Sequence, residues 1–263
     1  MRERLKQWRR SRAHHRLMGE VRAGRRRAVL VYTMGKVGST AITHALEQHA
    51  DLAVFHVHHL GERADRGHGH RQALSALLWR ELVRPGVPAM VITLSREPVA
   101  RNVSAYFQTL RRTLGGAAPW TRPTADLVAD FLAQFPHTRP LSWFDDELRR
   151  ALGVDVYAQP FNPVVGHARL DHPRYPTLVL RCELPDAAKA AQVADFLHLP
   201  DLTLPRANVG ADKAYAQAYE AFRAALRLPP TLLDELLESR YARFFHSDAE
   251  RAAARARWSG SGG

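Results

Sequence analysis

Short apolar runs alternate with stretches of helical spacing along most of the chain. Four runs rich in aliphatic residues predict buried strands at 28–33, 52–57, 87–94 and 177–182. Stretches with apolar residues three or four positions apart predict helices at 41–49, 71–84, 97–114, 124–135, 142–152, 186–197, 212–227 and 231–245. Strands and helices in this order predict an α/β domain, in which a mostly parallel sheet lies between layers of helices.

The remaining segments carry no regular period. Residues 113–123 and 153–175 are rich in proline or glycine and predict irregular connections. The arginine-rich start, residues 1–27, predicts a basic tail or surface helix, and the end of the chain predicts a flexible terminus over 251–263. The domain itself is therefore expected over residues 28–250.

Composition places the chain among globular proteins. Of its 263 residues, 46% are hydrophobic and 24% are charged, which excludes a wholly disordered or collagen-like chain. No apolar run approaches the roughly 18 residues that a membrane-spanning helix needs. The single cysteine, Cys182, excludes an intramolecular disulfide framework and fits a reducing compartment. The basic N-terminus has no apolar stretch behind it, so a secretory signal is not expected.

The net charge of +12 is unevenly distributed. Residues 1–27 hold eleven Arg or Lys against two Glu, a local net charge of +9, and the other 236 residues carry only +3. Basic residues with a few apolar neighbours favour contact with a polyanion or a membrane surface. Most of the net positive charge therefore lies in the tail rather than in the domain.

A strand, a glycine-containing turn and a helix meet at the sequence Met34-Gly-Lys-Val-Gly-Ser-Thr40. The two glycines let backbone N–H groups approach a ligand, and the helix N-terminus adds unpaired donors and a partial positive charge. Lys36 adds a full charge, and Ser39 and Thr40 add hydroxyl groups. The pattern predicts an anion site. It differs from the Walker A loop, in which the lysine directly precedes the hydroxyl residue.

A second candidate motif begins at the end of the third strand. Arg96 follows that strand, and Ser104 lies about two turns along the next helix. A guanidinium and a hydroxyl can converge on one phosphate from these two places. Ligands of parallel α/β sheets bind at the carboxyl ends of the strands. We therefore expect the site among residues 33–40, 56–60 and 95–104.

These segments resemble the nucleotide-binding motifs of sulfotransferases that use PAPS (3′-phosphoadenosine 5′-phosphosulfate). The sequence from Lys36 to Thr40 resembles their 5′-phosphosulfate loop, and Arg96 to Ser104 resembles their 3′-phosphate motif. A closer resemblance, over about residues 28–250, is to the bacterial sulfotransferase-like family described as capsular polysaccharide synthesis proteins. The segments that carry it are Val31–Thr40, Trp143–Leu148, Gly153–Tyr157 and Ser239–Ser247.

The resemblance implies a three-layer, P-loop-like sulfotransferase fold. It also implies in-line transfer of a sulfuryl group from PAPS to a hydroxyl of a carbohydrate or small-molecule acceptor, without a metal ion. The residues that would bind the 5′-phosphosulfate are Lys36, Val37, Gly38, Ser39, Thr40 and Ala41. Lys36 would also stabilise charge on the transferred group, and Arg96 and Ser104 would bind the 3′-phosphate. A late polar loop often closes over the nucleotide in such enzymes, which adds Asn208 and Lys213.

A general base should deprotonate the acceptor. Residues 54–59 run to the end of the second strand, and strand alternation places His56 and His58 on one face and His59 on the other. Histidine suits the role because its ordinary pKa lies near neutrality. His58 is our candidate base, with His56 and His59 as alternatives.

Other interpretations of these polar residues stay open. Asp145 or Glu147, in the segment that begins at Trp143, could serve as the base instead. A zinc site is a further alternative, although the ligand spacing is loose; its four ligands would be His56, His58, His68 and His70.

Two other functions compete with sulfuryl transfer. A P-loop-like kinase would need an Mg²⁺-binding aspartate, whereas Ser95 and Arg96 stand at the end of the third strand. A non-enzymatic module would bind a polyanion or a membrane through residues 1–27. The main hypothesis expects a cytoplasmic enzyme, which the basic tail could bring to the inner face of the membrane, with no specific nucleic-acid partner.

Overall fold

The four predicted strands and one further strand form a five-stranded sheet in the computed structural model of the chain, which describes residues 2–61, 70–113, 118–205 and 215–260. The strands are β1 (Arg27–Tyr32), β2 (Leu52–Val57), β3 (Met90–Ser95), β4 (His167–Leu170) and β5 (Thr177–Arg181). Their order in the sheet is β2-β1-β3-β5-β4. All pairs are parallel except β4 with β5, so β1, β2, β3 and β5 have their carboxyl ends at one edge.

The helices alternate with the strands in the first part of the chain and dominate the last part. In chain order they are α1 (Arg2–Arg22), α2 (Ser39–Leu46), α3 (His70–Leu78), α4 (Pro98–Thr113), α5 (Thr124–Gln134), α6 (Arg139–Trp143), α7 (Arg150–Leu152), α8 (Asp186–Leu197), α9 (Ala216–Ala225), α10 (Pro230–Leu237), α11 (Arg240–Phe245) and α12 (Asp248–Ser259). A π-helical turn at Trp79–Val83 continues α3, and another at Phe144–Arg149 joins α6 to α7. The predicted α/β class is confirmed.

The chain divides into two compact units. The first consists of Met1–Ser95, Trp143–Pro160 and Gly166–Pro205, and it holds the whole sheet. The second consists of Arg96–Ser142, Phe161–Val165 and Arg206–Gly263, and its described regular elements are helical.

The core of the first unit explains why its strands form where the apolar runs predict them. Val29, Leu30, Val31 and Tyr32 of β1 are all fully buried. A parallel strand covered by helices on both faces needs apolar residues at every position rather than at alternate ones. The continuous apolar run at 28–33 therefore indicated a central strand.

Helix α1 lies within residues 1–27, for which the sequence predicted a basic tail or surface helix, and it belongs to the first unit. Met18 is completely buried, and the ring of His14 lies 6.2 Å from the ring of Phe55 on β2. Arg26 pairs with Glu20 at 2.6 Å, and Arg22 pairs with Glu81 at 3.4 Å. The described part of this helix thus presents its apolar face to the sheet and satisfies some of its charge within the unit.

Strand β4 corrects the prediction of an irregular connection over 153–175. It pairs antiparallel with β5, from His167 opposite Leu180 to Leu170 opposite Thr177. Only Leu170 of its four residues is fully buried. A short edge strand with half-exposed polar positions has no hydrophobic alternation to reveal it.

The second unit has its own hydrophobic core, built from α4, α5, α9, α10 and α12. Phe131 and Phe222 are fully buried there, and Tyr215 and Tyr219 pack against the cluster. The aromatic residues of the predicted 212–227 helix therefore belong to a core. The predicted helix over 231–245 is instead two helices, because Ser239 ends the run and caps α11 by accepting a hydrogen bond from Ala242 N.

The last helix, α12, occupies residues for which the sequence predicted a flexible terminus. Ser247 and Glu250 form a capping box at its start. Trp258 near its end is 1% exposed, and its indole N–H donates to Glu97 Oε2 at 3.2 Å. Trp258 is the one large buried side chain of a helix whose other residues are mostly Ala and Arg, which is why its pattern resembles a solvated tail. Among the described residues, no helix is both long enough and apolar enough to cross a bilayer.

Candidate anion-binding site

The Lys36 loop, residues 33–38, joins β1 to α2 and contains three left-handed residues. The φ angles are 77° at Gly35, 64° at Lys36 and 79° at Gly38. A side chain in this region costs about 1–2 kcal/mol, so the surrounding structure holds Lys36 in a strained conformation. Gly38 is the N-cap residue of α2. The loop therefore delivers the chain sharply to a helix N-terminus, whose first N–H groups lack partners within the helix and carry partial positive charge.

Ser39 fastens the start of α2 to the neighbouring strand. Its hydroxyl lies 2.9 Å from His56 Nε2 and 3.3 Å from the hydroxyl of Thr33. The side chain of Thr43 donates to the Ser39 carbonyl oxygen at 3.0 Å. Ser39 is only 4% exposed, whereas Thr40 is partly exposed. The Ser39 hydroxyl thus holds the loop in place within the unit.

His58 lies directly beside the Lys36 loop. Its Nδ1 is 2.7 Å from the carbonyl oxygen of Thr33. A carbonyl can only accept, so Nδ1 carries the hydrogen, and Nε2 of the neutral ring carries the lone pair. A Cβ atom built on Gly35 would lie 3.5 Å from His58 Nε2. The loop is thus shaped so that Nε2 faces a residue without a side chain.

His56 and His58 share one face, as the strand alternation predicted. Their rings are 5.0 Å apart and nearly perpendicular. His59 instead contacts Glu147, at 3.1 Å between Nδ1 and Oε1. The structure therefore brings His56 and His58 to the Lys36 loop and directs His59 to a different group.

Glu147 is the centre of a partly buried polar network. Its Oε2 accepts hydrogen bonds from the Tyr32 hydroxyl at 2.6 Å and from Leu60 N–H at 3.2 Å. Burial raises the pKa of Glu147, but the hydrogen bonds from His59 and Tyr32 outweigh it, and the pKa lies below its ordinary value. Burial, and then the charge of Glu147, raise the pKa of Tyr32 well above its ordinary value. The Glu147 carboxylate therefore links the end of β1 to the segment that follows β2.

Asp145, the other carboxylate considered as a base, has a different environment. It is half-buried and pairs with Arg149 at 3.6 Å. Trp143, two residues earlier, donates its indole N–H to the carbonyl oxygen of His58 at 3.2 Å. Its ring meets that of Tyr32 edge to face at 5.1 Å.

Two residues that the sequence did not single out lie after β5, and one of them, Cys182, borders the Lys36 loop. Cys182 follows β5, donates its N–H to Ser95 O at 2.8 Å, and has its sulfur 3.4 Å from a Cβ built on Gly38. Lys189 is 7% exposed and holds that turn by donating to Cys182 O at 3.2 Å. The sequence could have indicated both residues through their position after β5, because the carboxyl end of β5 lies at the same edge of the sheet as the carboxyl end of β1.

In the second unit, Arg96 is fixed through its backbone. Its N–H donates to the Tyr241 hydroxyl at 2.9 Å, and that hydroxyl donates to Arg96 O at 2.8 Å. Tyr241 is completely buried. The carboxylate of Glu97 caps α4 by accepting from the N–H groups of Val99 and Ala100, at 2.7 and 2.8 Å. Ser104 lies on α4 and is partly exposed.

Arg101, between Arg96 and Ser104 on the chain, increases the positive charge of this region. It is 8% exposed. Burial lowers the pKa of Arg101 to about 10; the Tyr241 phenol acts in the opposite direction, and the charges of Arg139 and Arg96 add to the lowering. Arg101 therefore lies within electrostatic reach of two further arginines of the second unit, Arg96 and Arg139.

The predicted site residues fall into three groups. Lys36, Val37, Gly38, Ser39, Thr40, Ala41 and His58 belong to the first unit, and Arg96 and Ser104 belong to the second. Asn208, Lys213 and His68 lie outside the described residues. Within the described ranges, no three His, Cys, Asp or Glu side chains are grouped so that they could hold a metal ion.

Residues 124–247 match the model of a family described as "Putative capsular polysaccharide synthesis protein". No curated protein and no solved structure matches the chain. The matched range contains Trp143–Leu148, Gly153–Tyr157 and Ser239–Ser247, which are three of the four segments that carried the resemblance to the capsular polysaccharide family. The Lys36 loop and the segment from Arg96 to Ser104 lie before it.

Proposed function

We propose that the protein is a sulfotransferase that moves a sulfuryl group from PAPS to an acceptor hydroxyl. One observation carries the proposal: a lysine held in the left-handed conformation, between two left-handed glycines, at the N-terminus of a helix and at the carboxyl edge of a parallel sheet. Backbone donors, a helix N-terminus and a lysine are suited to a small anion such as a phosphosulfate. The proposal includes the finer assignment to the P-loop-like sulfotransferase fold.

The residues of the first unit would divide the reaction between them. Lys36 and the first N–H groups of α2 would bind the phosphosulfate and stabilise negative charge on the leaving phosphate. His58 Nε2 would accept the proton of the acceptor hydroxyl. The acceptor oxygen forms a bond to sulfur while the bond from sulfur to the phosphate oxygen breaks, so the products are a sulfate ester and adenosine 3′,5′-bisphosphate.

The 3′-phosphate would be bound by Arg96 and Ser104. The hydrogen bonds of Tyr241 fix the backbone of Arg96, and Arg101 and Arg139 add positive charge. Lys213 stays a candidate for closing over the nucleotide. The family description at residues 124–247 supports a carbohydrate as the acceptor class.

The test is transfer of label from sulfur-labelled PAPS to a panel of polysaccharides and hydroxylated small molecules. Wild-type protein should label at least one acceptor. Lys36→Met should lower the rate about 100-fold, by analogy with loss of one oxyanion donor. Arg257→Ala, which removes an exposed positive charge on α12, is the matched control and should keep the rate.

Two results would contradict the proposal. Equal transfer rates for wild type and Lys36→Met would show that Lys36 takes no part in the reaction. Transfer of the terminal phosphate from labelled ATP and Mg²⁺, without transfer from PAPS, would make the protein a kinase.

A further inference from the structure

The segment His58–Leu60 is held by the helical segment that begins at Trp143. Trp143 donates its indole N–H to the carbonyl oxygen of His58 at 3.2 Å. Glu147, one helical turn further on, accepts from Leu60 N–H at 3.2 Å and contacts His59 Nδ1 at 3.1 Å. Three successive residues after β2 are therefore each contacted by one of two side chains.

The same two side chains also contact the end of β1. The Tyr32 hydroxyl donates to Glu147 Oε2 at 2.6 Å, and the rings of Tyr32 and Trp143 meet edge to face. Trp143 is 5% exposed. Arg150 completes the arrangement by donating to Leu60 O at 3.2 Å. The segment after β2 is thus fastened to the residue that precedes Thr33.

Thr33 is the residue whose carbonyl oxygen accepts from His58 Nδ1 at 2.7 Å. The backbone of His58 and its acceptor are therefore fixed by one set of contacts. A displacement of about 1 Å of a reacting group can lower a rate 100-fold, and the partner of one imidazole nitrogen decides which nitrogen carries the proton.

We propose that Trp143 and Glu147 form a clamp that positions the His58 imidazole, with Nδ1 on Thr33 and Nε2 toward Gly35. Both are positioning residues, because they contact His58 or its neighbours rather than the reacting atoms. This role replaces the alternative in which Glu147 is itself the base, since its carboxylate oxygens accept from Tyr32 and Leu60 and contact His59. The catalytic part of the proposal rests on the proposed sulfotransferase function.

The first test is nitrogen NMR of protein labelled at its histidines, with the His58 signals assigned from the spectrum of His58→Gln. In wild type, the neutral ring of His58 should carry its proton on Nδ1. Glu147→Ala should shift the proton toward Nε2, and Trp143→Phe, which removes the N–H donor and keeps an aromatic ring, should do so partly. Glu147→Gln keeps an acceptor oxygen for Tyr32 and Leu60 and should retain most of the wild-type signal.

The control is Asp171→Asn, which removes an exposed carboxylate of the same unit and should leave the His58 signals unchanged. An unchanged Nδ1–H signal in Glu147→Ala would overturn the clamp. This arm needs no substrate, so it decides the positioning role even if the protein fails to bind PAPS.

The second test separates kcat from nucleotide affinity. Glu147→Ala should lower kcat about tenfold or more while the Kd for adenosine 3′,5′-bisphosphate stays within about twofold. A fall in kcat without a change in the His58 signals would make Glu147 the base and contradict the proposal. A loss of nucleotide affinity as large as the loss of kcat would also contradict it, because Trp143 and Glu147 would then hold the nucleotide-binding residues rather than the His58 imidazole.

Discussion

The Nδ1–H of His58 donates a 2.7 Å hydrogen bond to the carbonyl oxygen of Thr33, the first residue after β1. This bond joins the ends of two adjacent parallel strands across the start of the Lys36 loop. It leaves the basic nitrogen of the neutral imidazole facing Gly35. A strained lysine loop and an oriented histidine thus occupy one edge of the sheet.

Gly35→Ala tests whether access to His58 Nε2 matters. The new methyl group would lie 3.5 Å from Nε2, in van der Waals contact with it, and would shield that atom from an acceptor. We expect sulfuryl transfer to fall at least tenfold. The positive φ should cost about 1–2 kcal/mol of stability, measured by urea unfolding.

Gly24→Ala is the matched control for Gly35→Ala. Gly24 has a φ of 67° and has nothing within 4 Å of its Cβ position. Gly24→Ala should lose as much stability as Gly35→Ala does, and it should keep the wild-type transfer rate. Wild-type rates in both variants would show that Nε2 needs no open approach.

Lys36→Gly tests whether the strain at this position serves function rather than folding. Glycine adopts a φ of 64° without steric cost, so the free energy of unfolding should stay equal or rise by up to about 1 kcal/mol. Transfer should nevertheless fall about 100-fold, because the charge is lost. A loss of stability greater than about 1 kcal/mol would show instead that the lysine side chain holds the loop together.

Glu147 predicts a pH-dependent contribution to stability. Its folded-state pKa is depressed, so its contribution is present above the unfolded value of about 4.3 and is lost as the pH falls through the folded-state pKa. At pH 7, Glu147→Gln should lower the free energy of unfolding by about 1–3 kcal/mol. The difference from wild type should shrink below about pH 4. A difference that stays constant from pH 7 to pH 3 would contradict this assignment.

Trp258→Ala tests whether α12 is part of the second unit's core. It removes a large buried side chain and the hydrogen bond to Glu97, and should cost about 3–5 kcal/mol of stability. The neighbouring exposed Arg257→Ala should stay within about 0.5 kcal/mol of wild type. If both variants had similarly small effects on stability, this segment would be a flexible terminus, as its sequence predicts.

Sequence patterns predicted those parts of the fold in which burial follows a simple rule. The continuous apolar runs indicated β1, β2, β3 and β5, because both faces of a parallel sheet are covered. Strand β4 has four residues at an edge, and α12 buries only Ala254 and Trp258, so neither has enough buried positions to produce a recognisable period. The break at Ser239 was invisible because apolar residues continue on both sides of it.

The candidate site also has features that local sequence patterns predicted and features that depend on residues far apart in the sequence. Alternation along β2 was enough to predict that His56 and His58 share a face, and local spacing was enough to identify the Lys36 loop. The role of Glu147 was not readable, because its partner Tyr32 is 115 positions away in the sequence. Likewise, the position of the Cys182 sulfur beside Gly38 depends on the sheet order, in which β3 lies between β1 and β5.

Calorimetry with adenosine 3′,5′-bisphosphate tests whether the Lys36 loop and Arg96 bind a nucleotide of the PAPS type. Wild-type protein should bind this nucleotide at one site, and Lys36→Met and Arg96→Ala should each weaken binding at least tenfold, about 1.4 kcal/mol. Arg257→Ala should bind as wild type does. Absence of binding to folded wild-type protein, or binding that neither substitution changes, would contradict the account.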